Sequence, residues 1–126
     1  MMKAILAGLP LLASAAAANA AVPIEGKWAN PKHSVVVRVA PCGGAYCGTV
    51  IWASENNREH GATPGTRVLS DLQPVGDGTY KGGAYEPKRG IRGSATVRQE
   101  GSNVMIVRGC AVLGLVCKEQ RWTRVS

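Results

Sequence analysis

The chain has 126 residues, no Phe, sixteen Gly and a formal net charge of +7, which fits one small domain with a modest core. Its aromatic bulk is confined to Trp28, Trp52, Trp122, Tyr46, Tyr80 and Tyr85. The charge does not point to nucleic acid: Lys and Arg are scattered, no basic run exceeds two residues, and no aromatic–basic stacking motif occurs, so we expect a basic solvated surface facing an anionic envelope.

Residues 1–20 read as an export signal. Lys3 supplies the positive start, Ala4 to Ala18 is apolar apart from Ser14, and Ala18-Asn19-Ala20 has the small-x-small pattern of a cleavage site. The apolar run is short for a bilayer span of ~20 residues. We therefore expect cleavage before Ala21 and a single domain over 21–126, periplasmic or secreted. No later stretch is long and apolar enough to span a membrane.

The remainder is punctuated by Gly and Pro at short intervals, the mark of an all-β chain. A first strand surrounds Gly26-Lys27-Trp28. Ser34 to Ala40 and Gly48 to Ala53 follow, joined across Pro41-Cys42-Gly43-Gly44-Ala45-Tyr46-Cys47. Ser54 to Gly65 is a polar loop with room for one helical turn. Thr66 to Leu72 is the fourth strand. Asp77-Gly78 turns into Thr79 to Tyr85, and Glu86 to Gly90 turns into Ile91 to Gln99. Glu100-Gly101-Ser102 leads to Asn103 to Gly109, and a second cysteine loop leads to Lys118 to Val125. Eight short strands joined by tight turns predict an up-and-down meander with little helix. Closure into a barrel would remove its exposed edges; an open sandwich is the alternative.

Four cysteines allow three disulfide connectivities. Local pairing, Cys42 with Cys47 and Cys110 with Cys117, needs no long-range geometry and would staple two hairpins. Each such bridge is worth about 2–2.5 kcal/mol by chain entropy. A four-thiolate zinc site is the sharper alternative, but gaps of four and six residues exceed or reach the edge of the usual two to four.

Gly26-x-Trp28, Val36-Val37-Arg38-Val39 running into Pro41-Cys42-Gly43, Cys47-Gly48, Tyr80-x-Gly82-Gly83-x-Tyr85-x-Pro87, and Arg108-Gly109-Cys110 through Trp122-Thr123-Arg124-Val125 together resemble DUF2147, a family of small secreted bacterial proteins. The resemblance runs from Ile24 to the C-terminus. The Ser54–Gly65 loop departs from the family pattern and is shorter. The resemblance implies a lipocalin-like (calycin) barrel and an envelope or extracellular location, and it carries over no catalytic residue. Such barrels often begin with Gly-x-Trp and end with an Arg that covers the Trp ring. Trp28, Trp122 and Arg124 are the matching structural residues here, with Arg121 as the covering residue if the register shifts by one.

The residues themselves offer little catalysis. His33 and His60 lie in polar turns beside no nucleophile signature. Asp71 sits in apolar sequence, either pointing to solvent or buried against Arg67 or Arg108. Gly43-Gly44 and Gly82-Gly83 lack the spacing and following helix of a phosphate loop. Neither a catalytic set, a metal site nor a cofactor is expected. Binding is the more natural reading, with Trp52, Tyr80, Tyr85 and Arg108 as candidate ligand contacts inside the barrel or at its mouth. A small apolar or anionic ligand is one expectation. A packed, ligand-free barrel that contacts an envelope protein, as an inhibitor or assembly factor, is the other. In either case a monomer or weak dimer is expected.

Overall fold

A computed structural model describes residues 23–126; the candidate signal segment, residues 1–20, lies outside the described residues. Strands β1 (Gly26–Ala29), β2 (Val35–Pro41), β3 (Tyr46–Ala53), β4 (Arg67–Gly76), β5 (Thr79–Glu86), β6 (Ile91–Glu100), β7 (Val104–Ala111) and β8 (Val116–Arg124) follow one another, with one short helix, α1 (Glu55–Glu59), between β3 and β4. Each strand pairs with the next in antiparallel register, and β8 pairs with β1, so the sheet closes. The predicted up-and-down barrel is the observed fold.

Side-chain alternation explains the wall. In β2, Val37 and Val39 are buried while Arg38 is exposed; in β6 Ala95 and Val97 point inward, and in β7 Met105 and Val107 do. Together with Ile24, Trp28, Val50, Leu69, Leu72 and Trp122 they form one continuous core. Trp28 and Trp122 keep their indole N–H groups satisfied: Trp28 Nε1 donates to the Ile24 carbonyl at 2.9 Å and Trp122 Nε1 to Gln120 Oε1 at 2.9 Å.

Some boundaries differ from the sequence-based expectation, for local reasons. β3 begins at Tyr46 because Ala40 and Pro41 pair with Cys47 and Tyr46, leaving a tight turn closed by Cys42 N donating to the Ala45 carbonyl at 2.8 Å. β4 runs on to Gly76, past Leu72, by shifting register at Ser70/Gln73 and at Pro74/Gly76. These bulges are where a strand tolerates Pro74 and where Asp71 takes a positive φ of 49°. Asp71 is exposed, and its carboxylate accepts from Gln73 Nε2 at 3.2 Å. Ser54 caps α1, its hydroxyl accepting from Asn57 N.

Both disulfides are local: Cys42–Cys47 and Cys110–Cys117. Cys110 and Cys117 face each other across β7 and β8, whereas Cys42 lies one residue past β2, so its bridge to Cys47 is diagonal.

The seam between β1 and β8 is short, with two Cα pairs, Trp28↔Arg124 and Ala29↔Thr123. Arg124 reinforces it. Its guanidinium carbon lies 4.4 Å from the Trp28 ring centroid. Its Nε donates to the Ser102 carbonyl at 2.6 Å, Nη1 to Glu25 O at 2.7 Å and Nη2 to Pro23 O at 3.0 Å. Arg121 points away and pairs with Glu100 at 3.7 Å, so Arg124 is the covering residue. Gly26 makes this possible. Its φ is +145°, and a Cβ there would run into the Arg124 guanidinium and lie 2.8 Å from the Ser126 carbonyl.

Gly26→Ala should therefore lower stability by about 2–4 kcal/mol, combining backbone strain with a displaced cation–π contact. Gly43→Ala is the control: its φ is also positive, but nothing lies within 4 Å of the added methyl. Urea unfolding of the two variants should show the larger loss at Gly26; equal losses would mean that Arg124 is not held by the missing side chain.

Candidate functional site

Antiparallel strands in sequence order place alternate connections at opposite ends of the barrel. The Arg124 clamp and the Ser102 turn mark one end. The other gathers the β1–β2 turn, the α1 loop, the β5–β6 turn and the β7–β8 hairpin. There the interior is pinched. A Cβ on Gly109 would lie 3.5 Å from the Ala84 methyl, although β7 and β5 are not neighbouring strands, and a Cβ on Gly93 would strike the Cys110 backbone. Large side chains form the core: Trp28, Leu72, Val97 and Met105 are fully buried in one cluster.

Only one of the four candidate ligand contacts faces that interior. Tyr80 packs on the core and meets Tyr46 edge to face, with ring centroids 5.9 Å apart. Trp52 is 49% exposed on the outer wall. Strict alternation from the buried Val50 would turn it inward, but Val36 pairs with Trp52 while Val37 pairs with Val50, so Ile51 is an extra residue and the parity flips. Arg108 also faces outward, because Met105 and Val107 take the inner positions; it pairs with Glu119 at 3.7 Å, both half exposed. Tyr85 lies on the outer wall beneath Arg92, whose guanidinium carbon is 4.6 Å from the ring centroid. The four do not converge.

Two surface features do gather chemistry. The first is an open groove on the outer wall, where Thr66, Arg67, Ser70, Tyr85 and Arg92 meet. Two guanidinium groups beside three hydroxyls suit an anion. The second is the β7–β8 hairpin tip. Val112, Leu113, Leu115 and Val116 are 64, 100, 82 and 58% exposed. Val112 and Leu113 also hold φ of 52° and 56°. A left-handed conformation costs such residues about 1–2 kcal/mol each, and turns normally give it to Gly, Asn or Asp. Aliphatic side chains here violate turn chemistry, and strain of that kind gathers at functional positions. Sequence reasoning read this segment only as a cysteine loop. The available signal was a hairpin turn with no polar residue between Cys110 and Cys117.

His33 and His60 are turn residues. His33 N donates to the Asn30 carbonyl at 2.9 Å, and His60 Nδ1 lies 2.8 Å from the Asn56 carbonyl. Among the described residues no three His, Cys, Asp or Glu side chains gather as metal ligands, and no helix is long and apolar enough to cross a membrane.

The family described as an uncharacterized protein conserved in bacteria, DUF2147, matches residues 26–124. The chain belongs to the DUF2147 family. No curated protein matches it. Among solved structures, protein HP1028 from Helicobacter pylori, described as belonging to the lipocalin family, is similar with a TM-score of 0.65 and 22% identity, covering 83% of this chain and 84% of that one. At that identity the likeness concerns the fold, which is a lipocalin-like barrel. The two disulfides are consistent with an extracytoplasmic location.

Tyr80 carries a measurable pH signature. Burial, then the neighbouring Tyr46, raises its phenol above the usual value of 10.0. The unfolded chain loses that proton first, so the contribution to stability is complete below pH 10 and declines as pH rises beyond it. Tyr80→Phe should lack this alkaline component: denaturant midpoints of wild type should fall faster than those of the variant between pH 9.5 and 11 (roughly the phenol range). Parallel slopes would contradict the burial assigned to Tyr80.

Proposed function

We propose that this DUF2147 protein is a non-catalytic, exported binding module that works through its outer surface, and that its principal contact is the apolar β7–β8 hairpin tip. The observation that carries this reading is the cluster of fully buried side chains inside the barrel. The space a larger lipocalin-like barrel gives to a ligand is taken here by Trp28, Leu72, Val97, Met105 and their neighbours. The exposed aliphatic cluster supports the same conclusion, because soluble chains rarely gather large apolar side chains on the surface without a contact to make. An oxidising compartment suits this arrangement, since the Cys110–Cys117 bridge closes the base of the tip.

A second reading rests on the outer groove. Arg67 and Arg92 could hold a small carboxylate or phosphate there, with Tyr85 as one wall. The two readings share the outer surface and differ in the residues they use.

An environment-sensitive apolar dye separates surface from interior. Its fluorescence with wild type should fall by several-fold in Leu113→Ser/Leu115→Ser, two exposed positions whose replacement leaves the core intact. Dye binding that ignores this change but is lost in Met105→Phe, which overfills the core, would place recognition inside the barrel and overturn the proposal. Arg92→Ala should leave dye binding unchanged and is the variant that tests the anion reading, by phosphate titration.

A further inference from the structure

The hairpin tip has a chemistry that specifies its partner. Leu113 is fully exposed at the apex and Leu115, Val112 and Val116 surround it. The tip is convex, so it offers side chains to insert and no pocket to receive any. The Cys110–Cys117 bridge holds its base, and Leu115 N donates to the Val112 carbonyl at 3.1 Å across the turn. A preformed insert loses little conformational freedom on docking.

The base of the tip is cationic. Lys118 follows Cys117 directly, and its Nζ reaches Glu86 Oε2 at 3.2 Å, joining the hairpin to the β5–β6 turn. That turn carries Lys88 and Arg89, with Arg89 sharing the same Glu86 at 3.4 Å. Arg92 and Arg108 stand on the adjoining outer wall. Five cations thus face two carboxylates, Glu86 and Glu119, and the local balance is positive. Ile91, 41% exposed at the start of β6, adds a further apolar side chain beside the turn.

An apolar apex ringed by Lys and Arg is the pattern that inserts into the interface of an anionic bilayer: aliphatic groups enter the acyl boundary while cations meet headgroup phosphates. We propose that the β7–β8 hairpin docks the barrel onto an anionic membrane surface, Leu113 and Leu115 inserting and Lys88, Arg89 and Lys118 contacting phosphates. This rests on the outer-surface reading above and names the partner of the same tip. A protein partner is less suited, because the convex, fully exposed apex would demand a deep complementary pocket, while a lipid surface accepts it without one.

Vesicle co-sedimentation tests the inference on the disulfide-bonded protein. Wild type should bind vesicles of phosphatidylethanolamine and phosphatidylglycerol and ignore neutral phosphatidylcholine. Leu113→Ser/Leu115→Ser should weaken that binding by about tenfold or more, and Lys88→Glu/Arg89→Glu by a similar factor that shrinks at high salt. Leu113→Trp should show a blue-shifted emission on anionic vesicles. Binding that is indifferent to the tip, equal on neutral lipid, or undetectable overturns the proposal. So does self-association that depends on Leu113 and Leu115 without vesicle binding, which would make the tip a protein contact. Tip-dependent dye binding without vesicle binding removes the membrane and leaves the outer-surface reading standing; dye binding indifferent to the tip removes that reading itself. Unchanged thermal unfolding of the variants confirms that the barrel is intact.

Discussion

The stack of Arg124 on Trp28 is the contact on which the rest of the barrel depends. An up-and-down meander has two free edges until its first and last strands meet. Here that seam is two Cα pairs long, extended by Lys27 N donating to the Ser126 carbonyl and Val125 N to the Lys27 carbonyl. Arg124 gathers the Trp28 ring, the N-terminal carbonyls of Pro23 and Glu25, and the Ser102 carbonyl of the β6–β7 turn around one guanidinium. A planar, permanently charged group with donors on several sides can do this; an ammonium cannot stack and reach three carbonyls at once. The Gly26-x-Trp28 pair follows from the same requirement, because the cation occupies the space of the missing side chain.

Closure of the barrel shapes its interior. With no Phe and three Trp, the core is filled by aliphatic residues and by two of the indoles. At one end small residues bring next-but-one strands near each other: a Cβ on Gly109 of β7 would lie 3.5 Å from the Ala84 methyl of β5. The two disulfides act on hairpins at opposite ends of the barrel, limiting the freedom of the unfolded chain. One of them also holds the most apolar turn of the molecule in a rigid, exposed shape. The outer surface carries a groove lined by Arg67 and Arg92 and an exposed aliphatic tip.

Much of this architecture was legible in the chain. Glycine and proline spacing placed the eight strands, Asp77-Gly78 marked a hairpin, and the cysteine spacing indicated local bridges. The candidate contacts were less legible, for reasons that differ by residue. Trp52 is turned outward by a bulge at Ile51, and no residue there announces one. Arg108 follows Val104-Met105-Ile106-Val107, four aliphatic residues in a row, so alternation could not say which pair faces inward. Tyr80 and Tyr85 stand an odd number apart on one strand, and a period of two already sets them on opposite faces. The hairpin tip was hidden by composition: an aliphatic stretch between cysteines reads as buried strand until the register shows four of its residues, Val112 to Leu115, lying beyond the ladder.

The most direct test of this account is a double-mutant cycle between Trp28 and Arg124. Unfolding free energies of wild type, Trp28→Leu, Arg124→Ala and the double variant give the coupling with the shared losses cancelled. The account predicts a favourable coupling of about 1–2 kcal/mol, the range of a well-formed cation–π contact. Losses that add to within about 0.3 kcal/mol would show that the two side chains act independently, and that closure of the barrel does not depend on their stack.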